Sequence, residues 1–170
     1  MKFRALSLLL CSLLLAPSLP VAAQFAAEDA DWKESEAPPP PAFDVGKLVP
    51  FDVSPNSSMV YGIDPASISI SRSDSLVRYV VVATSATGVR NVMYEGIRCS
   101  TGEFKTYARY LPEGRWQVAS NPEWRSMFGN MPSRHPLRFA KAGGCDNAAP
   151  ATSVTELVRR LKNPNYLSSQ

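Results

Sequence analysis

The chain has 170 residues, 45% hydrophobic and 19% charged, with 18 Lys and Arg against 15 Asp and Glu, one His and three Cys. That length suits a single domain with its own core. Three cysteines and one histidine form no Cys-x-x-Cys redox pair and no four-ligand zinc set, and the phosphate-loop, dinucleotide and calcium-loop motifs are all missing.

In chain order the first element is an export signal, residues 1–23. Lys2 and Arg4 give a positive start. Residues 6–15 are apolar apart from Ser7 and Ser12, and Val21-Ala22-Ala23 supplies small residues before Gln24. The apolar run is about half the roughly 20 residues that span a bilayer, so it reads as a cleaved signal rather than an anchor. Cleavage removes Cys11 and leaves one even pair, Cys99 and Cys145. It also leaves 16 of the 18 bases against 15 acids. The expected location is an oxidising compartment.

Charge then divides the mature chain. Residues 24–44 carry six acids and one base, and residues 45–170 carry 15 bases and nine acids, so an acidic arm precedes a basic body. The arm contains Pro38-Pro39-Pro40-Pro41, which favours an extended left-handed helix without internal hydrogen bonds. A solvated spacer and an arm docked on its own body both fit residues 24–41. Phe43 and Phe51 favour docking of 43–53.

The body reads as an antiparallel meander of about five strands. Residues 67–71 alternate Ser and Ile, which would point Ile68 and Ile70 inward and the serines to water. Residues 76–85 are apolar on both faces, as in a central strand. Residues 89–99 form the next strand, with Gly96 as a possible bulge. Residues 103–110 alternate, with Phe104, Thr106, Ala108 and Tyr110 on one face and Glu103, Lys105, Tyr107 and Arg109 on the other. Residues 115–120 form a short last strand, with Trp116 and Val118 on one face. Turn residues separate them all, so sequential strands should pair. Asn121 and Pro122 look like a short helix start. A longer helix is predicted over 154–162, with Ser153 and Glu156 at capping-box spacing and Asn163-Pro164 as its stop. The fold class is α+β.

In an exported chain Cys99 and Cys145 most simply form a disulfide. Closing a loop of about 47 residues would stabilise the fold by roughly 4 kcal/mol in the chain-entropy model. His135, in a proline-bounded stretch, reads as a surface residue. Glu95 reads as an exposed or arginine-paired strand residue. The arginines on or beside the strands interleave with Tyr and Trp, a pattern that can hold an anionic surface, although an export signal argues against nucleic acid.

The strings Asp31-Trp32-Lys33-Glu34, Phe51-Asp52-Val53, Tyr61-Gly62-Ile63-Asp64-Pro65, Val77-Arg78-Tyr79-Val80, Tyr94-Glu95-Gly96-Ile97-Arg98-Cys99 and Lys105-Thr106-Tyr107-Ala108, with the proline run, resemble the cryptic neisserial protein-like family. The resemblance covers residues 31–161. It implies an exported protein of Gram-negative bacteria, periplasmic or envelope-associated, and it implies no reaction. A looser likeness to surface-adhesin E domains concerns fold.

The leading functional expectation is a non-enzymatic envelope module that binds another protein or an anionic surface component. Its candidate interaction surface is Tyr94, Arg98, Tyr107, Arg109 and Trp116. No catalytic residue, metal or cofactor is assigned, and no membrane anchor is expected after signal removal. The alternative is an envelope hydrolase acting on cell-wall or lipid substrates, which needs Glu95, Glu103 or His135 to line a pocket. A third reading gives the arm an assembly role, docked into a neighbouring subunit.

Overall fold

The computed structural model describes residues 31–163. The export segment with Cys11, arm residues 24–30 and residues 164–170 lie outside the described residues. A compact unit begins at Glu34.

The unit is α+β and built on one antiparallel sheet. Five strands match the predicted ones: β3 (Ser69–Ser71), β4 (Leu76–Ser85), β5 (Arg90–Arg98), β6 (Glu103–Tyr110) and β7 (Trp116–Val118). Three more join them: β1 (Val49–Phe51), β2 (Met59–Ile63) and β8 (Arg125–Ser126). The order is β1-β2-β4-β5-β6-β7, with β3 also on β4 and β8 also on β6. β2 and β3 therefore share one edge of β4. β2 pairs with residues 81–85 of β4 and β3 with residues 76–78. Between them the chain turns a corner through the 3₁₀ turn Pro65–Ser67, where Asp64 accepts the Ala66 N–H at 3.0 Å. Ser67 is buried in this corner rather than facing water: its hydroxyl donates to the Asp64 carbonyl at 2.7 Å and accepts the Val80 N–H at 2.9 Å.

The sheet separates two apolar clusters. On one face Ile63, Val77, Tyr79, Val81 and Ile97 are inaccessible to solvent and pack under helices α1 (His135–Phe139) and α2 (Val154–Leu161). The α2 stripe works as its spacing requires, with Leu157 and Leu161 buried and Ser153 accepting the Glu156 N–H at 3.2 Å. On the other face Val80, Val82, Val92, Tyr94, Tyr107 and Ala108 pack against Ala37, Phe43, Leu48, Tyr110 and Trp116.

One irregularity sets which side chains reach that second face. Tyr94 pairs with Ala108 and Glu95 with Thr106, so Tyr107 is an extra residue on β6. The bulge sits there, not at Gly96. It breaks the simple alternation of 103–110: Tyr107 and Ala108 both belong to the second cluster, while Phe104 belongs to the first. Gly96 has a different role. A Cβ on it would lie 2.6 Å from the Tyr107 hydroxyl oxygen, so its bare backbone makes room for the ring.

The predicted helix at Asn121 does not form. Only six residues separate Pro122 from Gly129, too few to repay helix nucleation. The chain instead runs irregularly to β8, which pairs with Glu103 and Phe104 at the β6 edge. Cys99 and Cys145 are joined in a disulfide across 46 residues, tying the end of β5 to the segment after α1. That segment is a π-helical turn, Ala140–Gly144, followed by a two-strand ladder, Cys145–Asp146 with Ala149–Pro150. Among the described residues no helix is long and apolar enough to cross a membrane.

Candidate functional site: a carboxylate pocket under the arm

Arm residues 34–43 lie against the second sheet face. Their backbone takes no part in the strand ladders. The contacts concentrate at Glu34 and Ser35 and include the Ser35 backbone. The Glu34 carboxylate accepts from Tyr107 Oη at 2.7 Å, from Trp124 Nε1 at 3.1 Å and from Lys105 Nζ. Arg78 Nη2 lies 3.7 Å from it. Ser35 donates its backbone N–H to Asp74 Oδ2 at 3.0 Å and its hydroxyl to the same oxygen, while its carbonyl accepts from Arg78 Nη2 at 3.3 Å.

The sheet holds the receiving groups firmly. Asp74 and Arg78 flank the start of β4 at an i,i+4 spacing, 2.9 Å apart, and their side chains are 1% and 3% exposed. Lys105 and Tyr107 come from β6, and the Lys105 ammonium sits 4.9 Å from the centre of the Trp124 ring and 5.7 Å from that of Tyr107. Burial pushes the Asp74 carboxyl up, but the bonds from Ser35, Ser71 and Arg78 outweigh it and hold it at about 2. For Glu34, burial also raises the pKa, and the bonds from Lys105, Tyr107 and Trp124 bring it below the usual carboxylate range. Burial and the adjacent Glu34 carboxylate push the Tyr107 phenol well up, so it stays a donor. The arm then continues to Phe43, whose ring meets Tyr110 and Trp116 edge-on at 5.0 and 5.7 Å.

The predicted interaction residues divide accordingly. Tyr94, Tyr107 and Trp116 are brought together on the second face, beneath the arm rather than open to solvent. Arg98 is buried too, 3.7 Å from Glu103. Arg109 alone is exposed; it lines an open cleft of about 530 Å³ with Gln117, Asn121 and Arg125. The residues that sequence reasoning missed are Asp74, Arg78, Lys105 and Trp124. Their signal was charge: two bases and an acid on strands or turns, opposite an acidic arm.

A second constellation crosses the first sheet face. Glu95 is not exposed but 1% accessible, and His135 is not a surface residue but 7% accessible. Glu95 Oε2 lies 2.9 Å from His135 Nε2 and 3.2 Å from Tyr79 Oη, and Oε1 accepts from Thr106 at 3.0 Å. His135 stacks on Tyr61, and its Nδ1 lies 3.1 Å from Ser133 Oγ, which in turn lies 2.8 Å from Tyr61 Oη. Glu103 is separate, accepting from Thr101 at 2.6 Å. Among the described residues no cluster of three or more His, Cys, Asp and Glu is placed to hold a metal ion.

Comparison with known proteins returns one relation. No curated protein matches the chain, and no solved structure does. The model of the CNP1-like family matches residues 27–162, a span that takes in the arm, both sheet faces and α2. The chain belongs to the CNP1-like family.

Proposed function

We propose that the protein is a non-enzymatic binding or assembly module of the bacterial envelope, exported by residues 1–23, whose working surface is the sheet face beneath the arm. The observation that supports this reading is the Glu34 carboxylate held by Lys105, Tyr107 and Trp124. A basic and aromatic face that already holds an anionic group is equipped to hold one from an envelope protein or an anionic surface component. Nucleic acid is not among the expected partners. The test uses the mature chain immobilised as wild type, as Glu34→Ala and as Lys105→Ala, exposed to solubilised envelopes and to glycan and lipid arrays. The reading expects a component retained by Glu34→Ala more strongly than by wild type and lost in Lys105→Ala. Identical profiles for all three chains contradict it.

A second reading, an envelope hydrolase acting on cell-wall or lipid substrates, is favoured by one observation. Ser133, His135 and Glu95 stand in a hydrogen-bonded row, and Ser133 borders a cleft of about 410 Å³ with Ser57, Met59 and Tyr61. In that reading the Ser133 hydroxyl gives its proton to His135 Nδ1 as it attacks, and Glu95 steadies the imidazolium. Labelling of Ser133 by a fluorophosphonate, abolished in Ser133→Ala, would carry it. An intact protein that resists labelling removes it.

A further inference from the structure

Resting on the reading of this face as a binding surface, we propose that the pocket of Asp74, Arg78, Lys105, Tyr107 and Trp124 recognises an extended Glu-Ser or Glu-Thr dipeptide presented by a partner protein. Residues 34 and 35 are its resident ligand in cis.

The recognition is complete for two residues and then stops. Four polar groups of Glu34 and Ser35 are matched: the Glu34 carboxylate by Lys105, Tyr107 and Trp124, the Ser35 N–H and hydroxyl by Asp74, and the Ser35 carbonyl by Arg78. Immediately beyond, Glu36, Pro38 and Pro39 are exposed. A segment needed only to shield Val80, Val82 and Tyr94 from water would need apolar side chains, not this set. Burying two bases and two acids under a strap is a costly way to cover a sheet, since apolar replacements of similar volume hold as well or better. What such an arrangement does confer is selectivity. A ligand lacking the carboxylate leaves Lys105 unmatched, and one lacking the hydroxyl leaves a bond to Asp74 unmade.

The receiving residues belong to the sheet and its flanking turns and not to the arm, and the proposal takes the arm to be displaceable. Asp74 and Arg78 pair with each other across one turn of chain and are fixed by β4. The arm contributes no ladder hydrogen bonds, so its release breaks the Glu34 and Ser35 contacts and leaves the strand ladders unchanged. A tethered segment competes at an effective concentration on the order of millimolar. A partner must therefore match the dipeptide and add contacts of its own, and an arm weakened at its anchor opens the site to weaker ligands.

The experiment uses the full mature chain carrying Glu34→Ala and Ser35→Ala, which empties the pocket without touching the sheet. The probe is a synthetic peptide with the sequence of residues 31–42, titrated by calorimetry, with companion peptides carrying Gln for Glu or Ala for Ser at the anchor positions. The expected result is saturable one-to-one binding, weakened about tenfold or more by either change, in keeping with the worth of a charge-assisted hydrogen bond. The same peptide should lose binding to the chain that also carries Lys105→Ala. Equal binding of all peptides, or binding of none, overturns the proposal. Light scattering that finds the wild-type arm seated in a second copy, with no response to the peptide, overturns it as well. Should the double variant fail to fold, the single variant Glu34→Ala is read through the Trp124 indole resonance, which should shift with the Glu-Ser peptide and stay unmoved with the Gln peptide; no difference between them counts against the proposal. If the Glu34→Ala chain still retains an envelope component while ignoring the dipeptide, this inference fails and the binding reading stands. If it retains nothing, both fail.

Discussion

The Glu34 carboxylate accepts the phenolic proton of Tyr107 at 2.7 Å, across 73 residues of chain. Tyr107 is in position to donate because it is the bulged residue of β6, turned to the same face as Ala108. One extra residue in one strand thus points a phenol at the arm. The first prediction tests the anchor. Glu34→Gln keeps the shape but leaves the buried Lys105 ammonium without its counter-charge. Urea denaturation should show a loss of about 1.5–3 kcal/mol, the range for a hydrogen bond to a charged group, and proteolysis should cut the arm before the sheet.

Acid should release the arm. Asp74 is held at about 2 against an ordinary value of 3.8, and Glu34 is held below its ordinary 4.5. For groups with lowered folded pKa values, the stabilisation is fully present above the unfolded values and is lost as pH falls through the folded ones. Trp124 fluorescence should therefore be flat from neutral pH down to about 5 and change progressively from there toward about 2. In Glu34→Gln the part of the transition that belongs to Glu34 should disappear. A profile that is the same in both chains would count against the anchor.

Gly96→Ala places a Cβ 2.6 Å from the Tyr107 hydroxyl oxygen and 2.9 Å from its Cε2. The ring must move, and with it the bond to Glu34. Overpacking of this kind costs about 1–3 kcal/mol. Chemical denaturation should show that loss, and the arm should become protease-sensitive, whereas an alanine at Gly129, whose Cβ would meet only the Ser126 carbonyl oxygen at 3.5 Å, should leave the arm protected.

The buried Glu95 joins β5 to β4, β6 and α1 through Tyr79, Thr106 and His135. Glu95→Ala leaves Tyr79 and His135 unmatched in the core. A buried hydrogen-bonding group left without its partner costs about 1–3 kcal/mol, so thermal unfolding should drop well below wild type. Glu103→Ala, at a half-exposed position, should change it little.

Much of this fold was legible from the residues. Leu76–Ser85, Arg90–Arg98 and Glu103–Tyr110 announce themselves because apolar runs alternate with short turns such as Ser100-Thr101-Gly102, where Gly102 adopts a φ of 65°. Ser153 likewise announces α2. β1 and β2 were missed because they are three and five residues long, Pro50 interrupts one, and a Ser- and Asn-rich loop separates them. α1 was hidden because Pro132 and Pro136 read as loop, although Pro136 stands at the start of the helix, where proline is tolerated. His135 was misplaced with it. The Tyr107 bulge has no local signature at all, since 103–110 alternates cleanly on paper. The arm's partners are hidden for the same reason: simple alternation puts Lys105 and Tyr107 on one face with Arg109, and the counter-charges of Glu34, Arg78 and Lys105, lie 44 and 71 residues away in the chain.

The disulfide gives a separate check. Cys99 and Cys145 close 46 residues, so reducing them should lower stability by roughly 4 kcal/mol. The α2 end of the molecule should loosen first, and a thiol assay on the unreduced mature protein should find neither cysteine free.

Glu34 and Ser35 occupy a built pocket on the sheet, and the Ser35 amide reports on it, because it donates to Asp74 Oδ2 at 3.0 Å. Hydrogen exchange at that amide, resolved by NMR, should be slowed well below the rate of an unstructured chain in wild type and return to that rate in Asp74→Ala. Exchange at the unstructured rate in the wild-type protein would contradict the claim.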